Sequence, residues 1–206
     1  MFAPGSYVVA IAAILLIVGV AAAVTLVLLR RREDAWKRFA RRHRLRFESR
    51  GLPAGPRVFG MLDGRAFELT STRSSSDSGL GLDEVRMSLA LRAVPPASLE
   101  VAPRAPGADL VAESQVLTDD AAFDGAALVT AARADLALDF LTPRRRAALL
   151  RLLEDGAPAL AGLRNGSLFV MERAATGGSS EQLERRLAVL RRAADDLDGY
   201  PAKSTL

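Results

Sequence analysis

From Tyr7 to Leu29 the chain reads YVVAIAAILLIVGVAAAVTLVLL, twenty-three positions without a charge, a proline or an amide side chain. As a helix rising about 1.5 Å per residue, this stretch reaches roughly 34 Å, enough for a hydrocarbon layer of about 30 Å. Lipid offers the backbone no hydrogen-bond partner, so helix is the conformation a chain takes there. The sequence therefore predicts a transmembrane helix at 7–29 behind a short external N-terminus at 1–6. A cleaved signal peptide fits less well. Met1 to Ser6 carries no charge, and the apolar run exceeds the ~7 to 15 residues of a signal core. Gly19 and Ala23 make a small-xxx-small pair that would let two helices approach, although in so Ala-rich a chain chance gives the same spacing.

Basic residues are distributed on one side of this run. Residues 1–29 hold no Lys or Arg, whereas 30–50 hold ten: Arg30, Arg31, Arg32, Lys37, Arg38, Arg41, Arg42, Arg44, Arg46 and Arg50. Cations beside a span stay on the cytoplasmic face. The expected localisation is therefore the cell inner (plasma) membrane, single-pass, with the N-terminus outside and a cytoplasmic C-terminal domain. Beyond the span, Trp36, Phe39, Ala40 and His43 follow helical spacing on one face. Residues 30–50 then read as a basic amphipathic juxtamembrane segment. Its expected membrane-interface residues are Arg30, Arg31, Arg32, Trp36, Lys37, Arg38, Arg41 and Arg42, with Trp36 as interfacial anchor and Phe39 packed on the downstream domain.

The charge is local. Ten cations against Glu33, Asp34 and Glu48 give 30–50 a charge of +7, whereas 18 cations against 21 acids give 51–206 a charge of −3. A nucleic-acid-binding domain would carry its own basic face, so no nucleic-acid partner is expected. The expected partners are the lipid bilayer, whose anionic headgroups attract each nearby cation by about 1 kcal/mol, and a protein yet to be identified. With no Cys and the single histidine His43, thiolate metal sites, disulfides and cysteine nucleophiles are excluded and no metal or cofactor is expected.

Turn and cap chemistry organises the remainder. Leu45 to Glu48 alternates as a short strand. Asp63-Gly64 and Asn165-Gly166 are pairs favoured in type I′ turns, and each joins two strands into a hairpin. Val85, Met87, Leu89 and Leu91 alternate with polar neighbours and predict a half-buried strand over Glu84 to Val94, ended by Pro95-Pro96. Ser74 to Gly81 reads as a flexible loop, and its Gly79-x-Gly81 lacks the third glycine and the following helix of a dinucleotide fingerprint. Leu110 to Leu117 is ambiguous, with helix fitting slightly better. Thr142-Pro143 starts a Leu-rich helix that ends at Gly156. Ser179 with Gln182 forms a capping box before Leu183, Leu187, Leu190, Ala194 and Leu197.

Asp119, Asp120 and Asp124 are the first candidates for a carboxylate site, since three acids within six residues suit cation binding or acid/base work. The bland alternative is an Asp-rich turn before the strand at Ala126 to Thr130, because the calcium-loop spacing is missing. Arg144-Arg145-Arg146 at a helix start reads as a solvated face or a contact with the membrane surface rather than a recognition patch.

The expected fold class is α+β: the N-terminal transmembrane helix followed by one domain, 51–199, of antiparallel hairpins with two or three packed helices, and a frayed C-terminus at 200–206. The N-terminal span, the basic stretch with Trp36 and Phe39, the Gly60 to Gly64 hairpin, Phe123-Asp124 before a strand, Leu141-Thr142-Pro143 before a Leu-rich helix and the closing amphipathic helix together resemble a group of uncharacterised single-pass bacterial membrane proteins. The likeness spans most of the chain and implies no catalytic residue, and the Ala and Arg richness suits a high-GC bacterial genome. The functional expectation is a membrane-tethered, non-enzymatic module for partner binding or envelope assembly. The alternatives are an anionic-lipid surface sensor through residues 30–50 or a cryptic carboxylate-based enzyme.

Overall fold

A computed structural model describes residues 4–50, 55–73, 83–93, 95–96, 98–104, 114–156, 158, 160–174 and 179–199. The elements in order are α1 (Pro4–Arg42), β1 (Arg46–Ser49), β2 (Pro56–Leu62), β3 (Arg65–Arg73), β4 (Asp83–Ala90), β5 (Ser98–Pro103), α2 (Ala121–Ala126), β6 (Ala127–Ala131), α3 (Ala134–Phe140), α4 (Pro143–Gly156), β7 (Leu160–Arg164), β8 (Ser167–Ala174) and α5 (Ser180–Leu197). The loop expected at Ser74 to Gly81, with its two glycines, and the C-terminus at 200–206 lie outside the described residues.

All described strands join one antiparallel sheet of eight, in the order β1-β2-β3-β4-β8-β7-β5-β6. The two hairpins are fixed by their turns: Asp63 and Gly64 take φ of 51° and 74°, Asn165 and Gly166 take 50° and 75°, the left-handed pairs a type I′ turn requires. Because side chains alternate along a strand, each register row is wholly inward or wholly outward. Val58, Leu69, Met87, Val170, Ala161, Val101 and Val129 face one another across seven strands, and all are buried. A second row, Phe67, Leu89, Leu168, Leu163, Leu99 and Ala131, lies beside it, also buried.

Helices cover this inner face. α5 lays Leu183, Leu187, Leu190, Ala194 and Leu197 on it, its N-terminus closed by the reciprocal Ser179 and Gln182 bonds of the capping box. α4 packs alongside through Leu149, Leu152 and Leu153, and the last turns of α1 add Trp36 and Phe39, each 0% exposed. At about 1.5 to 3 kcal/mol per large apolar side chain, this layer supplies the main driving force for folding. The sheet's two rims differ. The outer edge of β6 is covered by 114–116, where Val116 N–H donates to Val129 O at 2.9 Å and Ala131 N–H to Ser114 O at 3.2 Å. β1 at the other rim has four residues, with Arg46 and Glu48 turned to solvent or half out.

The membrane expectation is corrected. α1 runs unbroken from Pro4 to Arg42, but among the described residues no helix is long and apolar enough to cross a membrane. The transmembrane helix at 7–29, the single-pass plasma-membrane localisation with an outside N-terminus and cytoplasmic domain, and the fold class built on that span therefore do not stand. The two hairpins share one eight-stranded antiparallel sheet, on which the helices pack. The segment 30–50 is integral to it: α1 delivers Trp36 to the core, Leu45 N–H closes back on Ala40 O at 2.8 Å, and β1 pairs with β2.

Candidate functional site: the open face of the sheet

The carboxylates singled out in the sequence do not converge. Asp119 is exposed in a left-handed turn, with φ of 60°. Asp120 caps α2 by accepting from Phe123 N–H at 3.2 Å, and its other oxygen takes Arg146 Nε at 3.0 Å. Asp124 accepts from the Thr118 N–H at 3.0 Å and from its hydroxyl at 2.9 Å. Asp120 and Asp124 therefore hold local backbone in place. Among the described residues no group of three His, Asp or Glu side chains could hold a metal ion. The arginine triplet is likewise occupied: Arg144 and Arg151 reach Asp196 at 3.5 and 3.2 Å, and Arg145 donates to Leu197 O at 2.9 Å while stacking 4.2 Å from the Phe140 ring, joining α4 to the end of α5.

The expected interface residues separate into two sets. Trp36 is buried, Arg32 donates to Ser71 Oγ and stacks on Trp36, and Lys37 pairs with Glu33 at 2.9 Å. Arg30, Arg31, Arg38, Arg41 and Arg42 are exposed, and at 100° per residue they share one face of α1 opposite the buried Ala35, Trp36, Phe39 and Ala40.

The sequence did not single out the outer face of the sheet. Its central row runs Phe59, Glu68, Ser88, Phe169, Gly162, Glu100 and Thr130, with Arg57 and Arg86 in the next row and Arg164 toward the β7–β8 turn. Alternation in β4 already places Glu84, Arg86 and Ser88 opposite the apolar Val85, Met87 and Leu89. What surrounds Arg86 depends on the β4–β8 register, which no local pattern encodes.

Two pairs flank the centre: Arg57 Nε to Glu68 Oε1 and Arg164 Nη2 to Glu100 Oε1, each 2.6 Å. Between them lies Phe169, 2% exposed despite its outward direction. Its ring is covered by the guanidinium of Arg86 at 4.1 Å and approached by that of Arg164 at 5.9 Å. Gly162 makes room for the ring, because a Cβ there would lie 3.1 Å from Phe169 Cε1 and 2.3 Å from Leu99 O. Among the described residues no carboxylate pairs with Arg86. Its burial, and then the Arg164 charge, hold its pKa below the ordinary arginine value, against weaker opposing pulls from Glu68 and Glu100. Phe59, stacked by Arg57 at 4.5 Å, and Met61, 63% exposed, extend the face with apolar area.

This surface mixes aromatic, methionine and arginine groups, the composition that recurs where proteins bind one another. No family model and no curated protein matches the sequence. In structure the chain is similar to the mycobacterial trehalose monomycolate transport factor A, TtfA, with a TM-score of 0.56 and 14% identity over 84% of this chain and 96% of that one, a likeness of fold.

Proposed function

We propose that the chain is a non-enzymatic partner-binding module of envelope assembly that presents the open face of its sheet to another protein. The observation carrying this reading is the outward row around Phe169, in which aromatic and arginine side chains occupy a face that no helix of the described residues covers. Likeness of fold to a mycobacterial trehalose monomycolate transport factor agrees with it. A photo-crosslinking residue at Met61, on the open face, should capture an envelope-assembly protein in living cells, and the same residue at Leu136 on α3 should not. Equal capture at both positions, or at neither, overturns the reading.

A second reading is favoured by the cationic face of α1. Arg30, Arg31, Arg38, Arg41 and Arg42, exposed along one side, suit anionic lipid headgroups, each cation contributing about 1 kcal/mol near such a surface. The protein should then sediment with phosphatidylglycerol vesicles at low salt and be released as salt rises, because headgroup attraction is screened. Salt-insensitive binding, or none, dismisses it.

A further inference from the structure

We propose that Arg86 and Arg164, held over the Phe169 ring, form a carboxylate-binding site for an acidic segment of the protein partner, an inference that rests on the partner-binding reading above. Two guanidinium groups share one ring at 4.1 and 5.9 Å, and among the described residues only Arg164 has a carboxylate, that of Glu100. Arg86 makes no hydrogen bond and no ion pair with any described residue, so its planar set of donors is unused while its charge is half removed from water. Neighbouring arginines of this face already show the preferred arrangement: Arg57 takes Glu68 and Arg164 takes Glu100, each at 2.6 Å. An oxyanion beside Arg86 would complete the pattern, relieve the repulsion between the two cations, and gain the strength of a charge-assisted, fork-shaped contact. Burial of the cation, which lowers the Arg86 pKa, makes that gain larger than at an exposed arginine.

The surroundings select the occupant. The face offers Phe59 and the exposed Met61 as apolar contact beside the charge, suited to a segment alternating acidic and apolar residues.

The test is a titration of the full ¹⁵N-labelled chain with a synthetic peptide of Glu among Leu and Phe, and with its Gln counterpart, followed by NMR. The expected result is movement of the Arg86 Nε–H signal and of the β4, β7 and β8 amides with the Glu peptide. Its affinity should exceed that of the Gln peptide by at least about ten-fold, as loss of a hydrogen bond to a charged group implies. Arg86→Met, which keeps an aliphatic cover on the ring, and Arg164→Met should each remove the preference for Glu. Equal affinity for the two peptides, no movement at Arg86, or shifts confined to Arg30, Arg31, Arg38 and Arg41 overturns the inference. If Met61 still captures a partner in that event, the face binds without a carboxylate. If it captures none, the broader reading has failed instead.

Discussion

Arg65 is 5% exposed, and its Nη2 donates to Asp195 Oδ1 and Asp198 Oδ2, both at 2.7 Å. The Asp198 side chain is fully buried, and its other oxygen accepts from the Arg92 and Ala93 N–H groups at 2.9 Å. One carboxylate thus fastens the β2–β3 hairpin, the chain leaving β4 and the end of α5. Removing its cation strands a buried charge, so Arg65→Met should destabilise the protein by about 3 to 5 kcal/mol, measurable as a lower urea midpoint at unchanged slope. Exposed pairs behave differently. The hydrogen bond from Arg133 holds the Asp135 carboxyl at about 2, below its ordinary 3.8. A folded pKa below the unfolded one means that the pair's contribution is present above pH 3.8 and fades as pH falls through about 2. Arg133→Gln should return Asp135 toward its ordinary value in an NMR titration, with little effect on stability, since both groups lie in solvent.

At the scale of elements, α5 depends on its first turn. Ser179 Oγ accepts from Gln182 N–H at 3.3 Å and Gln182 Oε1 accepts from Ser179 N–H at 2.9 Å, so Ser179→Ala should lower stability by about 1 kcal/mol in chemical denaturation. The capping box, the two type I′ hairpins and the apolar spacing of α5 are legible in the sequence because each is encoded within a few neighbouring residues. α2 and α3 are not. With six and seven residues they offer too few periodic positions to be seen, and Asp120, read as a turn former, serves as the α2 cap. Trp36 shows the opposite error: a helical stripe of Trp36, Phe39 and Ala40 was visible, but spacing does not say whether the stripe meets lipid or protein. The core took all three.

Across the whole molecule, the end of α1 closes the inner layer that α5 and α4 begin. Trp36→Ala should therefore cost about 3 to 5 kcal/mol and lower the melting temperature of the entire domain in one transition, rather than loosen α1 alone. The candidate site belongs to this scale as well. Arg86, Phe169, Gly162 and Arg164 meet only because β8 returns between β4 and β7, a pairing distant in sequence, whereas the Asp119 to Asp124 cluster drew notice by being contiguous and proved to be local fastening. The rims of the sheet carry a last consequence. With β6 shielded by 114–116 and β1 reduced to four residues carrying Arg46 and Glu48, another chain finds no long, naked ladder to extend among the described residues. Ribbon-like growth is thereby discouraged, and crowding this protein should drive encounters broadside, onto the arginine-studded plane, instead of stacking copies into fibres.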